Sequence, residues 1–179
     1  MTKEVLVSLK GLQLSPDEQS DAVEVIAPGE YYLRNDKHYI LFEEAIEGEH
    51  EVSKNMIKFT KDSLEYSKKG PMNVHMIFEK GKKNLTYYYT PFGSLQVGIN
   101  TTSINIDETE DEIVADIKYG LDINFEYVGD CHITVHIKQK GSSINIGKKR
   151  NILIWMLLFS LLLQLSFVLF FLHQQPVLL

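Results

Sequence analysis

Cys131 and His132 stand side by side in this chain. A thiol next to an imidazole can act as nucleophile and base, provided that the two side chains come within hydrogen-bond reach. Their setting argues against that pairing. Cys131, Ile133, Val135 and Ile137 alternate with polar residues as a strand does, and neighbours in a strand point to opposite faces. Cys131 is therefore expected in the core. His132 and His136 share the opposite face, but four residues along a strand separate them by about 13 Å, too far to chelate one metal ion. They are expected to be solvated surface histidines. Glu47, Glu49, His50 and Glu51 surround Gly48 and could hold a hard cation weakly, although a solvated turn is the simpler expectation. The chain has no Gly-Lys-Ser/Thr phosphate loop, no Gly-x-Ser-x-Gly elbow and no His-Glu-x-x-His pair. No cofactor and no metal are expected, and catalysis is the least supported activity.

The elements that would carry these residues are strands. Val5, Val7 and Leu9 alternate, as do Met72, Val74, Met76 and Phe78, then Leu85, Tyr87 and Tyr89, then Leu95, Val97 and Ile99. The longest alternation has Ile113, Ala115, Ile117, Tyr119, Leu121, Ile123, Phe125 and Tyr127 on one face, 15 residues from end to end. A straight strand of that length would measure about 50 Å, so a bend is expected, with Gly120 its natural place. Around Thr101, Thr102 and Ser103 the apolar register slips from odd to even positions, which predicts a β-bulge. Turns are expected at Pro28-Gly29, Asn35-Asp36, Lys69-Gly70-Pro71, Lys80 to Lys83 and Gly129-Asp130. This pattern predicts an all-β fold, an antiparallel up-and-down meander closing into a barrel of about 8–10 strands. Tyr31, Phe42, Phe59, Phe78, Tyr87, Tyr89, Phe125 and Tyr127 are available to fill its interior.

The pattern stops at Gly147. Lys148, Lys149 and Arg150 follow, and then the segment 151–172 runs without a single charge. Its 22 residues as a helix would span roughly 33 Å, enough for a hydrocarbon core of about 30 Å. The expected organisation is a barrel domain over 1–140, a basic linker over 141–150, one C-terminal transmembrane helix over 151–172 and a short tail over 173–179. Positive residues flank membrane helices on the cytoplasmic side, so the barrel is expected to face the cytoplasm from the cell membrane as a single-pass protein. Without that anchor the chain would be cytoplasmic. Ahead of the triplet, 15 basic residues stand against 24 acidic ones, a balance of −9. Such a surface repels nucleic acid. Cys131 is the only cysteine, which excludes an internal disulfide and a zinc site built from cysteines.

Short motifs in fixed order carry a resemblance: Gly29-Glu30-Tyr31-Tyr32, Leu41-Phe42-Glu43-Glu44, Leu64 to Gly70, and Tyr88-Tyr89-Thr90-Pro91-Phe92-Gly93. Over roughly residues 3 to 138 the chain resembles the YwiB-like family, a bacterial domain of unknown function with a calycin-type, lipocalin-like β-barrel. The resemblance implies the barrel, and a barrel of this class can hold a small apolar ligand in its lumen. Its motifs place polar groups at Glu44, Lys68 and Tyr88, the candidate ligand-binding residues. The competing expectation for the same residues is structural: a barrel-end salt bridge between Glu44 and Lys68, with Tyr88 capping the core.

Two functions follow as expectations. The first is a non-catalytic, membrane-anchored module that binds a small molecule or a partner segment on the cytoplasmic side. The second is a structural or adaptor module with a filled barrel, which uses its acidic surface and anchor to localise a protein partner.

Overall fold

The computed structural model describes residues 1, 3–14, 23–45, 52–70, 73–90 and 93–140. The membrane segment 151–172, its flank Lys148, Lys149 and Arg150, the linker from 141 and the acidic cluster at 47–51 lie outside the described residues. Among the described residues no helix is long and apolar enough to cross a membrane.

The described chain is ten strands: β1 (Glu4–Leu14), β2 (Val23–Arg34), β3 (Lys37–Ala45), β4 (Val52–Thr60), β5 (Ser63–Lys69), β6 (Val74–Glu79), β7 (Lys83–Thr90), β8 (Gly93–Glu108), β9 (Glu112–Ile123) and β10 (Glu126–Gln139). They form one sheet in the order β6-β5-β4-β3-β2-β1-β10-β9-β8-β7, and every ladder in it is antiparallel. The first strand pairs with the last, so the sheet curls on itself as an up-and-down meander. Closure is incomplete at one place. β6 and β7 follow each other in sequence, yet no hydrogen-bonded ladder joins them among the described residues.

Alternation fills the interior. Val5 and Val7, Ile40 and Phe42, Ile57 and Phe59, and Ile113, Ala115 and Ile117 all point inward and are buried. Phe78 of β6 meets Tyr119 of β9 edge-on across the interior, with ring centroids 5.1 Å apart. Because side chains such as Ile40, Ile57, Ile99 and Ile117 have no accessible surface at all, this part of the barrel is packed, not hollow.

The two ends differ. At one end the strands are joined by tight connections: Asn35 and Asp36 between β2 and β3, Lys61 and Asp62 between β4 and β5, and Lys80 to Lys82 between β6 and β7. Asn35 and Asp36 adopt φ values of 50° and 56°, the left-handed pair that lets a two-residue hairpin match the twist of its strands. The opposite end carries the longer connections 15–22 and 46–51, and we call it the loop end.

Several expectations need correction. The 15-residue alternation is not one bent strand: it breaks at Asn124 and Phe125, both at positive φ, into β9 and β10. Pro28 and Gly29 do not turn; they lie inside β2, paired with Leu6 and Val5 of β1. Gly129 and Asp130 lie inside β10, beside a slip in the β9–β10 ladder between Tyr127 and Gly129. Among the described side chains of β7 the buried one is Tyr88, while Leu85 and Tyr87 face outward, 56% and 55% exposed. Phe125 and Tyr127 are outside as well; of the aromatics expected inside, Tyr31, Phe42, Phe59 and Phe78 are buried, and Tyr88 and Tyr119 join them. The bulge expected after Thr101 is present, as a register shift between Thr101 and Ser103 against β9.

Candidate functional site

At the loop end the inward positions change character. Along β4, Ser53 and Asn55 occupy the same face as Ile57 and Phe59, so strand alternation carries two polar side chains into the lumen. On one side β3 contributes Glu44, opposite Ser53 in the ladder; on the other β5 contributes Lys68, opposite Asn55. The Lys68 Nζ donates to Glu44 Oε2 at 3.1 Å, and the two side chains are only 10% and 4% exposed. The salt bridge expected between Glu44 and Lys68 is therefore present, and it is buried. Lys68 is buried, whereas its neighbour Lys69 is exposed.

The surrounding polar groups are only partly satisfied. Tyr66 donates its hydroxyl to Asn55 Oδ1 at 2.8 Å, and Asn55 Nδ2 donates to the Ser53 carbonyl at 3.3 Å. Burial, with the Glu44 charge adding to it, pushes the Tyr66 hydroxyl far above its ordinary value, so it stays a neutral donor. Glu44 Oε1 and Ser53 Oγ are buried without a hydrogen-bond partner. A carboxylate oxygen left in that state is costly, and a donor brought to it would recover the cost.

Tyr88 is placed close by, but in a separate feature. It lines a cleft between β6 and β7 together with Asn73, Val74, His75, Met76, Thr86, Tyr87 and Val97, with a free volume of about 30 Å³. That is room for a water, not for a drug-sized molecule. Val74 links the two features, since it lines the cleft and pairs with Lys68 in the β5–β6 ladder.

The other candidates come apart. Cys131 is buried, and burial pushes its thiol up, which disfavours the thiolate that a nucleophile needs. His132 and His136 lie on the outer face as expected, and each is engaged in a cross-strand pair, His132 with Asp116 at 3.0 Å and His136 with Glu112 at 3.1 Å. Among the described residues no group of three or more His, Cys, Asp or Glu side chains is disposed to hold a metal ion. Ser53, Asn55 and Tyr66 were not among the sequence candidates. The signal for two of them is in the sequence: polar residues in phase with Ile57 and Phe59.

The family model described as "Domain of unknown function (DUF1934)" matches residues 7–135. No curated protein matches the chain. Among solved structures, the crystal structure of ywiB protein from Bacillus subtilis is similar in fold, with a TM-score of 0.61 at 19% sequence identity, covering 76% of this chain and 91% of that one.

Proposed function

This chain belongs to the DUF1934 family, a domain of unknown function, and from that premise we propose that its barrel is a non-catalytic binding module whose site is the polar loop end of the lumen. The observation that carries the reading is the buried Glu44–Lys68 pair with Glu44 Oε1 left without a partner. Since Lys68 already balances the charge of Glu44, the group that fits is neutral and donates a hydrogen bond, while the spare Lys68 protons can meet an acceptor on the same group. A primary amide or an alcohol has that character. The packed core below leaves no lumen for an apolar ligand and the adjoining cleft has room for a water alone, so the group recognised is a small polar one presented at the loop end.

The reading includes a membrane anchor over 151–172, with Lys148, Lys149 and Arg150 on the cytoplasmic side and the barrel in the cytoplasm. It is supported by the uncharged run in the sequence. Lys140 bonds back to Glu4 at the turn end of the barrel, opposite the polar site, so a tail leaving there need not obstruct the binding end.

Two experiments test the reading. Carbonate extraction of membranes should retain the full chain and release a chain ending at Gly147; release of both would end the anchor reading. Thermal shift with acetamide, and with acetate as the charged control, should show stabilisation by the amide alone and loss of that effect in Glu44→Gln. Equal effects of the two probes, or an undiminished effect in the variant, would place binding elsewhere.

A further inference from the structure

With the loop end taken as the binding site proposed above, we infer that the site selects a primary carboxamide over an alcohol or a substituted amide, and that Ser53 is the residue that sets this selectivity. Glu44 and Ser53 stand directly opposite each other in the β3–β4 ladder, and both side chains point inward. Each holds one buried oxygen without a hydrogen-bond partner, Glu44 Oε1 and Ser53 Oγ, on residues that are 5% and 0% exposed. The ladder ends one rung further on, at Ala45 and Val52, so this is the outermost inward-facing rung of the two strands and the one nearest the mouth of the lumen. On the β5 side Ser53 Oγ is backed by Gly70, where a Cβ would fall 2.5 Å from it, so no side chain stands there to bond the hydroxyl. Below, Asn55 is already engaged, accepting from Tyr66 and donating to the Ser53 carbonyl.

Two facing acceptors call for two donors on one group. The N–H bonds of an NH2 group diverge by about 120° and reach acceptors about 5 Å apart at ordinary hydrogen-bond lengths. Directly opposed residues of an antiparallel pair have their Cβ atoms about 4.5–5.5 Å apart, a spacing of the same size. The carbonyl of the same amide accepts from Lys68 Nζ, which has one proton on Glu44 Oε2 and others to spare. A primary carboxamide thus matches all three groups at once. An alcohol brings a single donor, and an N-methyl amide has a methyl group in place of one of its two. Either leaves one buried oxygen unpaired, which corresponds to roughly 5- to 150-fold weaker binding. Ammonium or guanidinium would add a second cation beside Lys68, and a carboxylate a second anion beside Glu44. Ser53 is what separates amide from alcohol, because with Glu44 Oε1 alone a single donor would suffice.

The test follows the backbone amide resonances of Glu44, Ser53 and Lys68 by heteronuclear NMR, in the full chain in a nonionic detergent, during titration with acetamide, N-methylacetamide and 2-propanol. Acetamide should shift them saturably, with an affinity at least fivefold tighter than that of either other probe. Ser53→Ala removes a buried hydroxyl that has no partner, so the fold should hold, and in this variant acetamide should fall to the affinity of 2-propanol. Acetyl-glutamine methylamide, as a fourth probe, assigns the source: binding as tight as that of acetamide supports a carboxamide carried on a glutamine side chain, and weaker binding supports a small free amide. Equal affinities for acetamide and 2-propanol in the unaltered chain, or a preference for acetamide that survives in Ser53→Ala, would overturn the selectivity and leave the loop end as a binding site. Shifts by none of the probes, or shifts confined to other strands, would remove the binding site itself and this inference with it.

Discussion

Glu44 and Lys68, 24 positions apart in the sequence, meet at 3.1 Å inside the barrel with the whole of β4 passing between their strands. Neither strand could bury its charge alone. The pair exists because alternation aims both side chains inward at the same height of the lumen, where each offsets the desolvation of the other. Removing one partner and removing both are therefore different experiments. Lys68→Met should destabilise the fold by about 3–5 kcal/mol, because it strands a buried carboxylate. Glu44→Leu combined with Lys68→Met should come out near neutral or stabilising by roughly 1–4 kcal/mol. Urea unfolding of both variants decides the matter, and equal losses would mean that the charge pair is not what the site turns on.

Phe125 sits at φ 73°, a left-handed conformation that a bulky side chain occupies at a cost, and it is 82% exposed, so little packing repays that cost. Phe125→Gly converts the β9–β10 turn to Asn-Gly, the pair preferred at this type of hairpin. Relief of about 1–2 kcal/mol, less the entropy of the added glycine, leaves an expected gain of roughly 0.5–1 kcal/mol. A lower melting temperature in this variant would show that the exposed ring has a packing role.

Gly29 and Gly98 separate backbone crowding from side-chain crowding. A Cβ at Gly29 would lie 2.9 Å from the Leu41 carbonyl oxygen and 3.0 Å from Val7 Cγ2, atoms fixed by the β1–β2–β3 ladders. At Gly98 the nearest atom, also at 3.0 Å, is the Lys83 Cε on a flexible chain. Gly29→Ala should cost about 1–3 kcal/mol and Gly98→Ala clearly less, measured by chemical denaturation. The reverse order would contradict the close approach of β1 and β3 at Gly29.

Glu65 accepts a hydrogen bond from Lys58 Nζ at 2.6 Å and faces His75 at 3.0 Å, and these partners hold its carboxyl below the ordinary 4.5. A carboxyl depressed in the fold contributes stability above its unfolded value and loses it as the pH falls through the folded one. Stability should therefore decline below about pH 4.5, and Glu65→Gln should flatten that decline by up to about 1 kcal/mol, the scale of a partly exposed pair. Unfolding curves at pH 6 and pH 3 that show the same decline in both proteins would assign the acid sensitivity to other groups.

Period two in the sequence determined that this is a β protein, which faces of β1, β6, β9 and the latter part of β10 turn inward, that Cys131 is core, and where β8 bulges. It did not reveal the β9–β10 turn, because two changes of parity cancel there. The two-residue turn at Asn124 and Phe125 moves the inward phase from odd to even positions, and the ladder slip before Gly129 moves it back, so Ile123 and Cys131 both point inward as if one strand ran through. In β7 the pattern was degenerate, with aromatic residues at successive positions, and only packing against Met76 and Val97 selected Tyr88 for the inside. Glu44 and Lys68 were legible through short motifs; the orphaned carboxylate oxygen and the hydroxyl of Ser53 were not, since hydrogen-bond satisfaction depends on what three separate strands bring to one point. The seam was equally hidden: nothing in the local sequence of β6 and β7 says that consecutive strands joined by a tight turn will fail to pair, because that is decided by how ten strands close on themselves.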